Sequence, residues 1–493
     1  MSFKNRLKLS NGAATNSLLL TFVHVITVIL GIVVTKLLSV HFSLEEYGTY
    51  SQAVLVTTTA TSISILGLTN ATNYFYNRST NVSDQKTYVA TIFAIQYIIG
   101  TLTGILLIVI RPLLSAYFGN DSLIAILPIV AFTPLLQNLI SMYQVLFVSI
   151  GKAKVIAVRN LIVSSVRLLA VVLACFVFKN IVTVLIVILF LDMFQILYFF
   201  FLFKEFKHSI RIRDVRLKLT KEILIFSVPM SIYVLTNSLS RDIDKYVISA
   251  FSNTETLAVY TNAAKLLPFD MLTASLITVL IPIITRMINQ KDFDKAQEVF
   301  KLYLRIGYVL TFIFVGGAIA LSKNLMLFLY DDKYIIGLPV FVVYLVVDMI
   351  RFANVTTILS GAGKTKTLMV VSVSTMVLNA IFNVIGYKLF GLIGPAIVTL
   401  ILTICMTIAL LHFGAKEIRT KVVRLFCFRE ILTVGAQIII MGAVVFVISR
   451  VLDSVGVQYV FSLCLCYGLY ILVLGLLNYR RALDCYRKLN QYK

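Results

Sequence analysis

The sequence predicts an all-α polytopic membrane protein of about fourteen transmembrane helices. They are expected as two parallel six-helix lobes around a central cavity, with two further helices at the C-terminus. Three observations carry this expectation. The 493 residues are 59% hydrophobic and 13% charged, with mean hydropathy +0.94, far too apolar for a soluble domain. Apolar stretches recur at the ~20-residue length that crosses a bilayer. The 44 Lys and Arg are sorted by position, 32 on one set of loops, 6 on the other and 6 inside the hydrophobic spans.

The spans fall at roughly 14–40, 47–70, 87–110, 123–149, 155–178, 181–203, 222–250, 256–285, 302–322, 335–360, 367–390, 392–414, 431–450 and 456–478. Span 1 follows Lys4, Arg6 and Lys8. It is too long for a signal-peptide core and lacks a small-residue cleavage site, so it is expected to stay as a helix. Arg111 follows span 3, the cluster Lys152, Lys154 and Arg159 follows span 4, and Lys179 follows span 5. Span 6 leads into the largest basic run, from Lys204 to Lys221 with Arg211, Arg213, Arg216 and Lys218 between. Lys323 and Lys333 follow span 9, and Lys388 lies at the end of span 11. Lys416 to Arg429 follow span 12, Arg450 follows span 13, and Arg480 to Lys493 close the chain. Even-to-odd connections are therefore basic and the others are not, which places both termini in the cytoplasm.

The connections are too short for a soluble catalytic domain, so no enzyme is expected. The net charge of +22 sits on one face, beside anionic headgroups, which argues against nucleic acid as partner. The six cysteines suggest no disulfide framework, and Cys464 and Cys466 point to different helix faces, a poor metal pair. Neither a metal nor a cofactor is expected.

The chain also repeats. Gly151-Lys152-Ala153-Lys154 recurs as Gly363-Lys364-Thr365-Lys366, and Arg111 to Phe118 is similar to Lys323 to Tyr330, both at an offset of 212. Lys36 matches Lys245 at 209, and Tyr50 matches Tyr260 at 210. Two copies of six spans insert the same way up. The expected organisation is an N-lobe at 1–205, a basic linker at 206–221, a C-lobe at 222–415, and helices 13–14 with a basic tail at 416–493.

The six cations inside spans are Lys36, Arg167, Arg241, Lys245, Lys265 and Arg351. An ionisable group at membrane depth must face protein or water, so it marks a substrate path by default. Arg241 and Lys245 are four apart on span 7, an unfavourable pair unless both meet an anion. Asp244 could pair with Arg241, with Asp242 beside it, and Lys245 could instead snorkel. Lys36 near the outer end of span 1 could snorkel too, although its repeat match to Lys245 would set the two across the cavity. Asp348 and Arg351, three apart, could neutralise each other, and so could Arg167 and Asp192 on neighbouring spans. Lys265 lies five residues before Asp270, near Pro268. Asp192, Asp244, Asp270 and Asp348 are thus candidates for coupling or for ion pairing. His24 is expected to be a packed, hydrogen-bonded residue. Tyr233, Tyr260 and Tyr344 could stack on sugar rings.

The stretch KLLSVHFSLEEYGTY, Lys36 to Tyr50, resembles the helix 1–2 corner of Wzx-type flippases. These belong to the multidrug/oligosaccharidyl-lipid/polysaccharide exporter (MOP) superfamily. Asp244-Lys245-Tyr246, with Tyr260-Thr261-Asn262-Ala263-Ala264-Lys265, is similar to the equivalent second-lobe segment. The resemblance implies a monomeric carrier in the bacterial inner (plasma) membrane. Its substrate would be an undecaprenyl (polyprenyl) pyrophosphate-linked oligosaccharide repeat unit of O-antigen, capsule or exopolysaccharide. The unit would move from the inner to the outer leaflet by alternating access, with H+ or Na+ as a coupling ion open. The cavity cations suit the pyrophosphate, because charge-assisted contacts are strong at low dielectric. Lipid II or teichoic-type carriers are the nearest alternative. A multidrug/cation antiporter would be expected to have an acid-rich cavity instead. Gly361-Ala362-Gly363-Lys364-Thr365 only mimics a phosphate loop, since Ile358 stands at the first glycine position and no strand precedes it. The glycosylation-like tripeptides at Asn77, Asn81 and Asn354 lie on the cytoplasmic side or within a span.

Overall fold

The computed structural model describes residues 23–79, 81–205, 210–267, 271–351 and 355–492. Within its helices the side chains of 153, 204, 205, 233, 234, 237, 271–279, 486 and 490 stand outside that description. The described chain is helical throughout. The helices are α1 (Val23–His41), α2 (Leu44–Ser64), α3 (Leu68–Arg78), α4 (Val82–Phe118), α5 (Ser122–Val130), α6 (Thr133–Ser149), α7 (Ala153–Leu173), α8 (Ile181–Glu205), α9 (Thr220–Phe251) and α10 (Thr254–Ala263). They continue as α11 (Met271–Asn289), α12 (Phe293–Ala320), α13 (Ser322–Leu329), α14 (Leu338–Arg351), α15 (Thr357–Gly361), α16 (Thr365–Phe390), α17 (Gly394–Glu417), α18 (Val422–Leu425), α19 (Phe428–Ser454) and α20 (Tyr459–Asn490).

Eleven helices among the described residues are long and apolar enough to cross a membrane, against fourteen expected spans. By that measure α16 and α17 form one stretch, Thr365–Glu417, although the chain turns between them at Gly391. Helices α9 and α11 contain side chains outside the described set.

Several expected spans are broken. The second is interrupted between α2 and α3, where Leu66 and Gly67 both take positive φ, 42° and 68°. Gly67 is required there twice over, because a Cβ would also press on the Ser227 carbonyl of α9. The fourth is interrupted between α5 and α6, where Pro134 starts the new helix and has no N–H to give the previous turn. The eighth ends as α10, and 265–267 is non-helical before α11. Backbone freed in this way needs partners when water is absent. Asn138 of α6 braces the chain beside the α2 break, donating to Ser64 Oγ at 2.9 Å and, at 3.2 Å, to the Thr61 carbonyl that also accepts the Ile65 N–H.

The chain divides into two compact units, Met1–Asp242 with Ser249–Ala258, and Ile243–Ile248 with Val259–Lys493. In the first unit, α3, α4, α6, α8 and the start of α9 bury a core around Leu68, Phe75, Ile92, Phe147, Phe199 and Ile223, each at most 1% exposed. Phe75 stacks on Tyr88 at 4.7 Å and Tyr74 on Phe226 at 4.3 Å. The start of α9 is fixed by Glu222, which accepts from Tyr88 Oη at 3.0 Å and pairs with Arg78 at 3.6 Å. Ser43 and Glu46 form a capping box that starts α2.

In the second unit, α11, α12, α15 and α17 enclose Phe300, Tyr303, Ile284 and Leu359. Helices α19 and α20 pack on α12 through Val434, Val445, Tyr470 and Leu474. Gly316 and Gly317 make that approach close. A Cβ on Gly317 would meet the Tyr467 and Tyr470 rings at 2.8 Å, and Tyr467 Oη donates to the Phe314 carbonyl at 2.9 Å. Small residues at such a crossing let backbones approach without a hydrophobic drive. The opposite faces are apolar and open, as at Ile439, Ile440 and Leu476, and suit lipid.

Gly317→Val is expected to overpack the α12–α20 seam and destabilise the fold by ~1–3 kcal/mol. Thermal unfolding in detergent reads this as a lower midpoint, and an unchanged midpoint would contradict the packing described.

Candidate functional site

Among the described residues, each unit holds a buried polar cluster built around a carboxylate. In the second unit the centre is Asp244 on α9, 2% exposed. A carboxylate that deep must receive hydrogen bonds from the protein. Tyr260 Oη of α10 donates to Asp244 Oδ2 at 2.9 Å, Tyr344 Oη of α14 donates to the same oxygen, and the Lys245 backbone N–H meets Oδ1 at 2.9 Å. The two tyrosine rings stand perpendicular, with centroids 6.4 Å apart. Three helices are thereby tied through one carboxylate.

One turn further along α14, Asp348 Oδ2 accepts the Leu267 backbone N–H at 2.9 Å. This satisfies a backbone donor released where the helical path is broken after α10. Lys245 is half-buried and acts electrostatically on Asp244, while Arg351, also half-buried, acts on Tyr344. Lys265 is exposed in the non-helical stretch itself. Asp270, Pro268 and Asn354 lie outside the described residues, as does the Tyr233 side chain.

In the first unit the centre is Asp192 on α8, 8% exposed. Gln195, one turn on, donates to its Oδ1 at 2.9 Å. The other oxygen, Oδ2, is buried and receives no hydrogen bond among the described residues. Gln137 of α6 and the guanidinium groups of Arg159 and Arg167 on α7 surround the carboxylate. Arg159 is itself 8% exposed. It lies over the Phe199 ring at 5.0 Å and donates to Asn160 Oδ1 at 2.5 Å. With the Gln144 amide oxygen turned toward it, two more bonds form at 2.7 and 3.1 Å. Arg167 is exposed on the same helix. Of the remaining cations, Lys36 on α1 is half-buried and Arg241 on α9 is exposed, both in the first unit.

Three sequence expectations change. The charge pattern groups Arg159 with the loop cations Lys152 and Lys154, yet α7 begins at Ala153 and Arg159 is buried. The acid on the next helix and the nearby aromatic residues were the available signal. Tyr260 and Tyr344 are buried donors to Asp244 and have no face free for a sugar ring. His24 is exposed on α1 rather than packed.

Long apolar helices in two units, with buried charged clusters among them, define a multi-pass membrane protein. A solved lipid II flippase MurJ in an inward closed conformation has the same fold. Its TM-score is 0.74 at 17% identity, over 94% of this chain and 100% of that one. An inward-facing multidrug resistance MATE family transporter of the MOP superfamily superposes with a TM-score of 0.68 at 14% identity, over 80% of this chain and 94% of that one. The probable lipid II flippase MurJ of Rickettsia prowazekii (strain Madrid E) is 21% identical over 243 residues. That match spans 45% of this chain and 46% of the relative, about half its length. The model of the polysaccharide biosynthesis protein family matches residues 33–339. The chain belongs to that family.

Tyr344→Phe removes one donor from Asp244 and should cost ~1–3 kcal/mol, whereas Tyr97→Phe, at an exposed ring of α4, should cost less. Thermal unfolding of the two purified variants tests the ranking, and equal midpoints would show that Asp244 does not depend on Tyr344.

Proposed function

We propose that the protein carries a polyprenyl-pyrophosphate-linked oligosaccharide repeat unit from the inner to the outer leaflet of the bacterial plasma membrane. It would do so by alternating access, with both termini cytoplasmic and the chain acting as a carrier rather than an enzyme. The supporting observation is Arg167. It lies 14 residues into an apolar helix, about 21 Å along its axis, and the residue is exposed. A cation at that depth is sustainable only where water or an anion meets it. Arg241 and Lys265 are also exposed, while Lys36, Lys245 and Arg351 are half-buried. All six are proposed as contacts for the pyrophosphate and its anionic neighbourhood. The polysaccharide biosynthesis family supplies the class of passenger.

Among the acids, Asp192 is the one proposed for a coupling proton or sodium ion, since its Oδ2 is unsatisfied. Asp244 and Asp348 are proposed to hold helices together. Asp270 keeps its sequence-based candidacy.

A second reading, transport of lipid II or a teichoic-type lipid, draws on the likeness to the lipid II flippase structure along 94% of this chain. The cationic excess inside the spans speaks against a cationic drug as passenger.

Arg241→Ala and Arg351→Ala are expected to abolish surface polysaccharide in a strain lacking this protein, while membrane insertion continues. Full restoration by both variants would overturn the cationic-path reading. Rescue of a strain depleted of its lipid II flippase, without rescue of polysaccharide, would select the second reading.

A further inference from the structure

A cavity of about 300 Å³ lies in the second unit, away from the Asp244 cluster, between the first half of α12, the start of α19 and the end of α20. All three helices bring charge to it. Arg305 comes from α12, Arg429 and Glu430 from α19, and Arg481, Asp484 and Lys488 from α20. Four cations thus face two acids. One acid is committed, since Glu430 Oε1 lies 3.1 Å from Arg305 Nε. Arg481 spends one donor on Thr433 Oγ1 at a long 3.4 Å. Neither Arg429 nor Lys488 forms an ion pair within 4 Å among the described residues. The surplus is therefore two positive charges.

Two further properties define the ligand. The opening turn of α19 has no side-chain cap, so its backbone N–H groups add to the positive field. The inner wall is apolar, formed by Leu302, Val309 and Val434, and α19 and α20 carry exposed apolar residues such as Leu432 and Leu476. An occupant must then be anionic at one end and apolar at the other. The volume admits a phosphate diester with its glycerol, at the small end of ligand sites, and leaves acyl chains outside along the helices.

We infer that this cavity is a binding site for the phosphodiester headgroup of an anionic membrane phospholipid, separate from the path of the transported molecule. Basic pockets between transmembrane helices at the cytoplasmic boundary are suited to such headgroups. Binding there would join α12 to α19 and α20, the three helices whose seam depends on Gly316 and Gly317. The assignment does not require any particular passenger.

The test uses the full chain in nanodiscs of phosphatidylcholine, with and without phosphatidylglycerol, and reads lipid retained on the released protein by mass spectrometry together with the thermal midpoint. Phosphatidylglycerol should be retained and should raise the midpoint. Removing two charges with R429Q and R481Q together should lower retention about 30-fold, with partial recovery in R429K and R481K. R424Q, a cation outside the cavity, should leave retention unchanged. Equal retention by wild type and the double Gln variant would overturn the site. A midpoint rise with soluble glycerol 3-phosphate matching that with phosphatidylglycerol would overturn the lipid assignment in favour of a free phosphate. Stronger retention of polyprenyl pyrophosphate, lost in the same variant, would overturn the separation from the transport path. None of these readouts measures transport, so failure here is distinguishable from failure of the carrier reading.

Discussion

A carboxylate removed from water must be given its hydrogen bonds by the protein, and the second unit is organised around meeting that demand at Asp244. Its oxygens draw a tyrosine hydroxyl from α10, another from α14 and a backbone N–H from α9 itself. The alternative is an unsatisfied buried charge, whose cost exceeds that of an ordinary lost contact. Asp348 then extends the same logic by one helical turn. Its carboxylate takes the donor released where α10 gives way to irregular chain. A broken helix at membrane depth is tolerable because a neighbouring helix supplies what the lost turn did not.

The class of fold was legible from hydropathy and loop charge alone, since both are averages over many residues. The interior was legible only in part. Lys36, Arg167, Arg241, Lys245, Lys265 and Arg351 stood out because they interrupt apolar runs. Arg159 did not, because it lies four residues inside a span whose start is marked by other cations, and position along a sequence is a poor measure of depth near a helix end. Tyr260 and Tyr344 were visible as aromatic residues. Their role depends on an 84-residue separation closing in space, which no local pattern encodes. The α2–α3 break carried a signal in Gly67, but glycine is common in membrane helices and does not announce a left-handed backbone.

The two charged clusters use different chemistry for related ends. Around Asp244 the hydrogen-bond donors are hydroxyls and a backbone amide, and Lys245 adds its charge. Around Asp192 the neighbours are amides and guanidinium groups, one of them spread over an aromatic face. The second arrangement sets a buried carboxylate among amides and guanidinium groups, with Arg167 exposed on the same helix as Arg159. Membership of the polysaccharide biosynthesis family gives that arrangement a setting.

The Arg159–Asp192 neighbourhood also bears on how the chain enters the membrane. A charged residue well inside an isolated helix adds about 2.5–3.5 kcal/mol to its insertion cost. Helix α7 carries Arg159 and Arg167, and α8 carries Asp192, with only a few residues between the helices. Inserted one at a time, each would expose its charge to hydrocarbon. Inserted as a hairpin, they bring Asp192 beside Arg159 from the start. Biogenesis of the first unit is therefore best served when α7 waits in the insertion machinery for α8, and the ion cluster that shapes the mature interior also sets the order of assembly.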